Sequence, residues 1–312
     1  MQEPPPGVAD RDVLAVIRQA WSTDVDAIEH LPVGFGAHHW AASVAGRRSW
    51  FVTLDRLGRR SAASLEAAYA GAAALAASGL EFVLASQPTA EGRFTVPFAG
   101  GALSCTPWWE GRVVGEGGIT DADLAVENAA MLARLHAAEP PPAIPRWWPR
   151  VGPDLAAGLR VRTAEPWRTG PFGEPARRAL TARLTAIGRW TARYHALAVQ
   201  AADRPWVVTH GEPHTRNQLR TADGILLVDW ETLASAPRER DLSPLVESGY
   251  ADLVAPDWTM VQLFDLEWRL DEIAQYADWF AAPHTGALND QIAFAGLQFE
   301  LDRPDRSRSV PD

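Results

Sequence analysis

Residues 206–242 read WVVTHGEPHTRNQLRTADGILLVDWETLASAPRERDL, and the order of their polar groups carries the chemistry of the chain. Two apolar segments, Trp206–Thr209 and Ile225–Val228, have the composition of buried strands. The loop His210–Asn217 lies between them and contains a carboxylate, Glu212, and an amide, Asn217; the second segment runs into Asp229. Moving a phosphoryl group to a hydroxyl calls for such groups. One carboxylate must orient the hydroxyl and take its proton, a nearby amide must hold a metal ion, and a strand-end carboxylate must hold the metal that bridges the phosphates. Glu212, Asn217 and Asp229 supply them in that order, and their oxygen donors suit magnesium. Other readings fail on local grounds. His210 and His214 have the spacing of a zinc pair, but that pair needs a helix, and Pro213 stands between them. Ser235 and Ser243 lie near acids, yet no G-x-S-x-G turn exists to present a nucleophilic serine.

Beyond this stretch the composition narrows the field. A length of 312 residues fits one large domain or two lobes around a cleft. The formal charge of −10 argues against a nucleic-acid binder, whose affinity rests on clustered cations, and suits a cationic ligand. No lysine occurs, so all 29 basic residues counted as Lys or Arg are arginine, a composition expected of a GC-rich bacterial genome. The single Cys105 excludes an internal disulfide and a cysteine-based zinc cluster. Met1–Gly7 is Pro-rich without the basic and apolar parts of a signal sequence, and no apolar run is long enough to span a bilayer. The expectation is a cytoplasmic protein with no membrane or nucleic-acid partner.

Upstream, residues 10–21 have helical spacing, with Val13, Leu14, Ile17 and Trp21 on one face. Ala27–Pro32, His39–Val44 and Ser49–Leu54 follow as an antiparallel meander; Gly34 and Gly36 sit in its first turn. An Ala-rich helix is predicted over 61–78, and strands over Glu81–Ser86, Arg93–Phe98 and Ala102–Pro107. After Gly118 the pattern turns helical, over Thr120–Ala138, Glu174–Ala201 and a late region whose buried face includes Leu263, Leu270, Ile273, Ala277 and Phe280; residues 146–171 show no clear period. A sheet-rich first third and a helical remainder predict two lobes joined near residues 107–112.

HGEPHTRN, LLVDWE and ERDL together resemble the signature of the aminoglycoside phosphotransferases, whose wider family includes macrolide, choline, homoserine and fructosamine kinases and is related to protein kinases. The resemblance implies an α+β, protein-kinase-like two-lobed fold: a small antiparallel-sheet N-lobe (1–106), a hinge (107–112), a larger helical C-lobe (113–302) and a flexible tail (303–312). It implies a kinase that moves the terminal phosphate of ATP or GTP, with magnesium, to a hydroxyl of a small cationic molecule such as an aminoglycoside-type antibiotic. The oligomeric expectation is a monomer or homodimer. In the family the loop carboxylate is the base, the Asn and strand-end Asp bind magnesium, and the last Asp braces the loop. Those roles fall on Glu212, Asn217, Asp229 and Asp241, with His210 as a further brace. Gly34 and Gly36 would cover the phosphates, Trp108 and Trp109 lie at the adenine-reading hinge, and Glu231, Glu267 and Asp271 would meet the acceptor.

This sequence departs from the family in two places. Glu212 replaces the catalytic Asp, which would displace the carboxylate by about 1.5 Å on an unmoved backbone. Thr53 stands where the third strand should carry its nucleotide-gripping lysine, so Glu66, matching that lysine's acidic partner, has no lysine to pair with; Arg56, Arg59 and Arg60 are the nearby cations. Two further readings therefore stay open: a catalytically weak or dead pseudokinase acting as an accessory protein, and a metabolic kinase for homoserine, choline or a glycated amine.

Overall fold

The period of residues 10–21 forms helix α1 (Asp10–Ala20), with Val13 and Ile17 buried. The meander follows as β1 (Val25–Leu31), β2 (His38–Val44) and β3 (Arg47–Arg56), then α2 (Ala62–Ala77), whose Ser61 cap accepts from Ser64 N at 3.1 Å. Next come β4 (Val96–Phe98), β5 (Gly101–Pro107), β6 (Arg112–Val113) and α3 (Ala122–His136), capped by Asp121 at 2.8 Å from Leu124 N. Helices α4 (Leu155–Arg162) and α5 (Gly173–Ala201) precede the short strands β7 (Val207–Thr209), β8 (Gln218–Thr221), β9 (Gly224–Leu227) and β10 (Ala234–Ala236). The chain ends in α6 (Ser243–Glu247), α7 (Trp258–Ala281) and α8 (Leu288–Asp302). This computed structural model describes residues 1–58, 60–115 and 117–304; Arg59 and most of the expected tail lie outside the described residues. An antiparallel-sheet N-terminal region followed by a helical C-terminal region is the α+β class expected from the sequence. Among the described residues no helix is long and apolar enough to cross a membrane.

Packing divides the chain into two compact units: Met1–Trp147 with Pro205–Ala255, and Trp148–Arg204 with the residues from Pro256 on. In the first, a five-stranded antiparallel sheet has the order β1-β2-β3-β5-β4. Side chains alternate across it. Trp40, Ala42, Val52, Leu54, Leu103 and Cys105 pack with Val13 and Ile17 of α1. The intervening His39, Thr53, Asp55 and Ser104 are polar and buried on the other face, where Tyr69 of α2 donates to Asp55 at 2.7 Å. A second core joins Leu65, Tyr69 and Leu75 of α2 to Leu132, Val208, Leu227, Trp230 and Leu233. Because α2 packs on residues from 205–255, the segment 107–112 lies within this unit.

Two local expectations change, and two elements come from segments without a sequence signal. Glu81–Ser86 is not a ladder strand: Phe82 and Val83 face the core, and the backbone makes one bridge, Val83 to Leu227. The strand expected over Arg93–Phe98 forms only at Val96–Phe98, because Glu66 takes the amides of Phe94 and Thr95. Strand β8 escaped detection because Gln218–Thr221 has no apolar run; it exists by pairing with β6 and β9. The periodless stretch 146–171 contains the short helix α4.

The second unit is helical, with α5 packed on α4, α7 and α8. Its interior is partly ionic. Arg150 Nε lies 3.3 Å from Glu267 and its Nη1 3.7 Å from Asp271, while Tyr194 donates to Glu267 at 3.1 Å. Buried Arg269 lies 3.7 Å over the Trp190 ring and donates to Glu300 O at 2.8 Å.

Candidate active site

The loop between β7 and β8 is held from below by two elements. Asp241, fully buried, accepts from His210 N at 3.0 Å, Gly211 N at 2.6 Å and His136 Nε2 of α3 at 3.0 Å. Burial pushes its pKa up, but the His136 hydrogen bond and the nearby charges outweigh this and hold it below the ordinary value. Arg240 donates to Thr209 Oγ1 and Thr232 O, each at 2.8 Å. It lies directly under Gly211, whose φ is +102°; a Cβ there would be 2.2 Å from Arg240 Nη2. Only glycine fits.

His210 completes the brace. Its Nε2 donates to Val228 O at 2.8 Å, and its Nδ1 accepts from Glu212 N at 3.1 Å, the pattern of one neutral tautomer. Burial pushes its pKa down to about 4, consistent with that form. Asn217 Nδ2 donates to Glu212 O at 3.0 Å, so the backbone of Glu212 is pinned on both sides. The amide oxygen is then the atom with which Asn217 can meet a cation. Gln218 fastens the far side, donating to Asn128 Oδ1 at 2.5 Å and Pro213 O at 2.8 Å.

Asp229 follows β9 in a left-handed conformation, φ 69° and ψ 61°. An aspartate held there is strained, and such strain concentrates at functional sites. Around it gather Glu212, Asp55 and Glu231, whose charges act on one another. Glu231 is raised, first by burial and then by the charge of Asp229. Asp55 is raised to about 7 by burial and by Glu231, against the hydrogen bond from Tyr69. Asp229 is pushed upward by its protein surroundings and by Asp55 and Glu212, although its side chain stays open to water, which limits the effect. Among the described residues one cation answers these acids: Arg60, donating to Glu231 O at 3.1 Å with Nη1 3.5 Å from Glu231 Oε1.

This arrangement fits a divalent cation. Crowded carboxylates with raised pKa values are groups that a cation would neutralise, and Glu231 Oε2 is buried with no donor to it. Among the described residues no three His, Cys, Asp or Glu side chains form a closed metal cage. Magnesium takes one or two protein carboxylates and completes its shell with water and phosphate.

The other sequence-derived residues scatter more widely. Gly34 and Gly36 both have positive φ, and the Met1 ammonium donates to Val33 O, Gly34 O and Ala37 O at 2.9, 3.1 and 2.7 Å. Thr53 is sealed against His39, Oγ1 to Nδ1 3.2 Å, and His39 stacks on Phe51. Glu66 accepts from Phe94 N, Thr95 N and Thr95 Oγ1 at 2.8, 2.9 and 2.5 Å, with Arg93 at 3.9 Å, so it braces the turn before β4. Trp108 packs beside Phe51 under Arg48, while Trp109 is exposed. Glu267 and Asp271 belong to the second unit and face Arg150, an internal cation, so their charge is already answered within the protein. Asp55 and Tyr69 gave no sequence signal beyond an acid ending an apolar strand. His136 gave none.

Comparison with known proteins places this geometry in context. The sequence model described as the phosphotransferase enzyme family matches residues 28–288. Protein StrN of Streptomyces griseus is 37% identical over 103 residues, a match spanning 33% of this chain and only 31% of that relative. Among solved structures, spectinomycin phosphotransferase APH(9)-Ia, in complex with ADP and spectinomycin, superposes with a TM-score of 0.71 at 16% identity over 96% of each chain. A microcompartment-associated aminopropanol kinase gives a TM-score of 0.61 at 14% identity, over 94% of this chain and 95% of that one. At these identities the structures share the fold, a kinase-like one.

Proposed function

Since the chain belongs to the phosphotransferase enzyme family, we propose that it transfers the terminal phosphoryl group of a nucleoside triphosphate to a hydroxyl of a small molecule. The observation that carries this is the meeting, in one unit, of a braced loop carboxylate, an amide five residues on and a strained strand-end carboxylate: Glu212, Asn217 and Asp229. Glu212 accepts the proton of the acceptor hydroxyl as its oxygen bonds to the terminal phosphorus; the bond from that phosphorus to the bridging oxygen breaks, and the nucleoside diphosphate leaves. Asp229 and the Asn217 amide oxygen would hold magnesium, with Glu231 beside them. The ion, when bound, supplies charge stabilisation to the phosphates. Asp241, His210 and Arg240 keep the loop in place. The positive φ of Gly34 and Gly36 allows close backbone approach to phosphates, and the Met1 ammonium fixes that turn.

The acceptor we favour is a hydroxylated, cationic molecule of the aminocyclitol or aminoglycoside class. The formal charge of −10 and the likeness to a spectinomycin phosphotransferase support this choice. A pseudokinase is the second reading, favoured by the burial of Thr53 where a cation is expected.

Incubation with ATP or GTP, magnesium and a panel of aminocyclitols, aminoglycosides and small amino alcohols, read by mass spectrometry, tests the proposal. A phosphorylated acceptor is expected. Nucleotide should raise Tm only with magnesium, because a ligand stabilises by binding the native state, and Asp229→Asn should abolish that coupling. No product from any acceptor, together with a nucleotide shift indifferent to magnesium or to Asp229→Asn, overturns the reading.

A further inference from the structure

This protein contains no lysine, yet a kinase-type phosphoryl transferase sets a cation against the nucleotide phosphates, ordinarily a lysine of the third strand. The corresponding place on β3 is closed. Thr53 is 7% exposed and engaged by His39; Glu66, the acid that a strand lysine would pair with, is taken up by the backbone of Phe94 and Thr95. A cation does stand in the turn between β3 and α2. Arg60 donates to Glu231 O at 3.1 Å, stands 3.5 Å from Glu231 Oε1, and exerts its charge on Asp55 and Asp229.

Three other described arginines near the sheet act on other groups. Arg48 pairs with Glu29 at 3.1 Å and covers Trp108, Arg93 lies by Glu66, and Arg56 bears on the Met1 ammonium and His38. Arg60 is also reachable: its side chain is 39% exposed, while the Glu231 side chain beneath it is 11% exposed. A guanidinium stays charged at all working pH values and can offer two parallel donors to phosphate oxygens, which an ammonium cannot. We propose that Arg60 is the phosphate-binding cation of this protein, displaced from strand to turn, with Glu231 holding its guanidinium over the acids that receive the metal. The proposal rests on the phosphotransferase reading above.

A purely structural Arg60 would only balance Asp55 and Glu231, and the two roles separate by ligand. Calorimetric titration of wild type, Arg60→Met and Arg60→Lys with ADP, with and without magnesium, and with adenosine provides the test. Arg60→Met should weaken ADP, titrated with magnesium, at least about tenfold, while adenosine changes by less than about twofold. Arg60→Lys should recover part of the ADP affinity and serves as the folded control, its Tm close to that of wild type. Unchanged ADP affinity in Arg60→Met, or equal losses for ADP and adenosine, overturns the Arg60 assignment alone. A wild type that binds no ADP under either condition overturns the phosphotransferase reading first, and the assignment with it.

Discussion

Glu212 is longer by one methylene than the aspartate its motif leads one to expect, and the hydrogen bonds around it say where that length must go. Its N–H is held by His210 and its C=O by Asn217, so the backbone has little freedom to retreat. The side chain itself must absorb the difference. Removing the base while keeping its shape, in Glu212→Gln, should lower kcat at least about a hundredfold and leave nucleotide affinity within about threefold. Glu212→Asp should also be slow, since a carboxylate withdrawn by about 1.5 Å on a pinned backbone loses its alignment. An aspartate variant faster than wild type in phosphate transfer would show that the loop does not favour the longer acid. These groups were legible because they lie within one short segment. Asp55 and Tyr69 were not placed at the cluster by sequence, and Arg60 was one of three candidate cations, because their arrival depends on the register of β3 against β5 and on how α2 packs. The left-handed conformation of Asp229 likewise has no sequence signature, since nothing about an aspartate demands it.

At the scale of elements, periodicity predicted α1, α2, α3 and α5 and strands β1 to β3 and β5 closely, because each carries an apolar face. It failed where a segment depends on long-range pairing, as Glu81–Ser86 does on Leu227 and β8 does on β6 and β9. The junction of β3 and β5 shows what the sheet tolerates. A Cβ on Gly101 would lie 2.1 Å from Asp55 O, a backbone atom that cannot yield without opening the pair. Gly101→Ala should therefore cost about 1–3 kcal/mol in denaturant unfolding and disturb Asp55, whereas Gly92→Ala, with open space around its Cβ, tests mere loss of a positive φ. On β2, His39 is buried and its pKa is pushed down to about 3, first by burial and then by the Met1 ammonium, His38 and His30. A depressed histidine pKa means that the unfolded chain binds the extra proton, so folding weakens as pH falls below about 6.5, the unfolded value. His39→Gln removes this linkage. Relative to that variant, wild type should lose about 1.4 kcal/mol per pH unit between pH 6 and 4; parallel stability curves would mean that His39 is not held neutral.

For the whole molecule, the lesson concerns where its cooperative pieces begin and end. Composition shifts point to a break at residues 107–112, because sheet-like sequence gives way to helix-like sequence near there. Packing follows different lines, and the reason lies in the second core. Leu65, Tyr69 and Leu75 of α2 are buried by Val208, Leu227, Trp230 and Leu233, contributed from beyond residue 204. Long-range burial of this kind leaves no mark on local periodicity. It follows that residues 1–147 lack part of their own interior and should show no cooperative thermal transition, since a domain missing one side of its core cannot offset its conformational entropy. The cut itself is easy to repair: the rings of Trp147 and Trp206 stand 6.0 Å apart, and Arg146 lies 4.6 Å over Trp206. A chain in which a few glycines join Trp147 directly to Pro205 and which stops at Ala255 is expected to melt in one sigmoidal transition by circular dichroism. It should also keep magnesium-dependent ADP binding, because Arg60, Glu212, Asn217 and Asp229 all belong to it. A sharp transition in the 1–147 fragment alone, or a joined chain that folds yet has lost ADP, would show that the unit carrying the candidate site has been drawn in the wrong place.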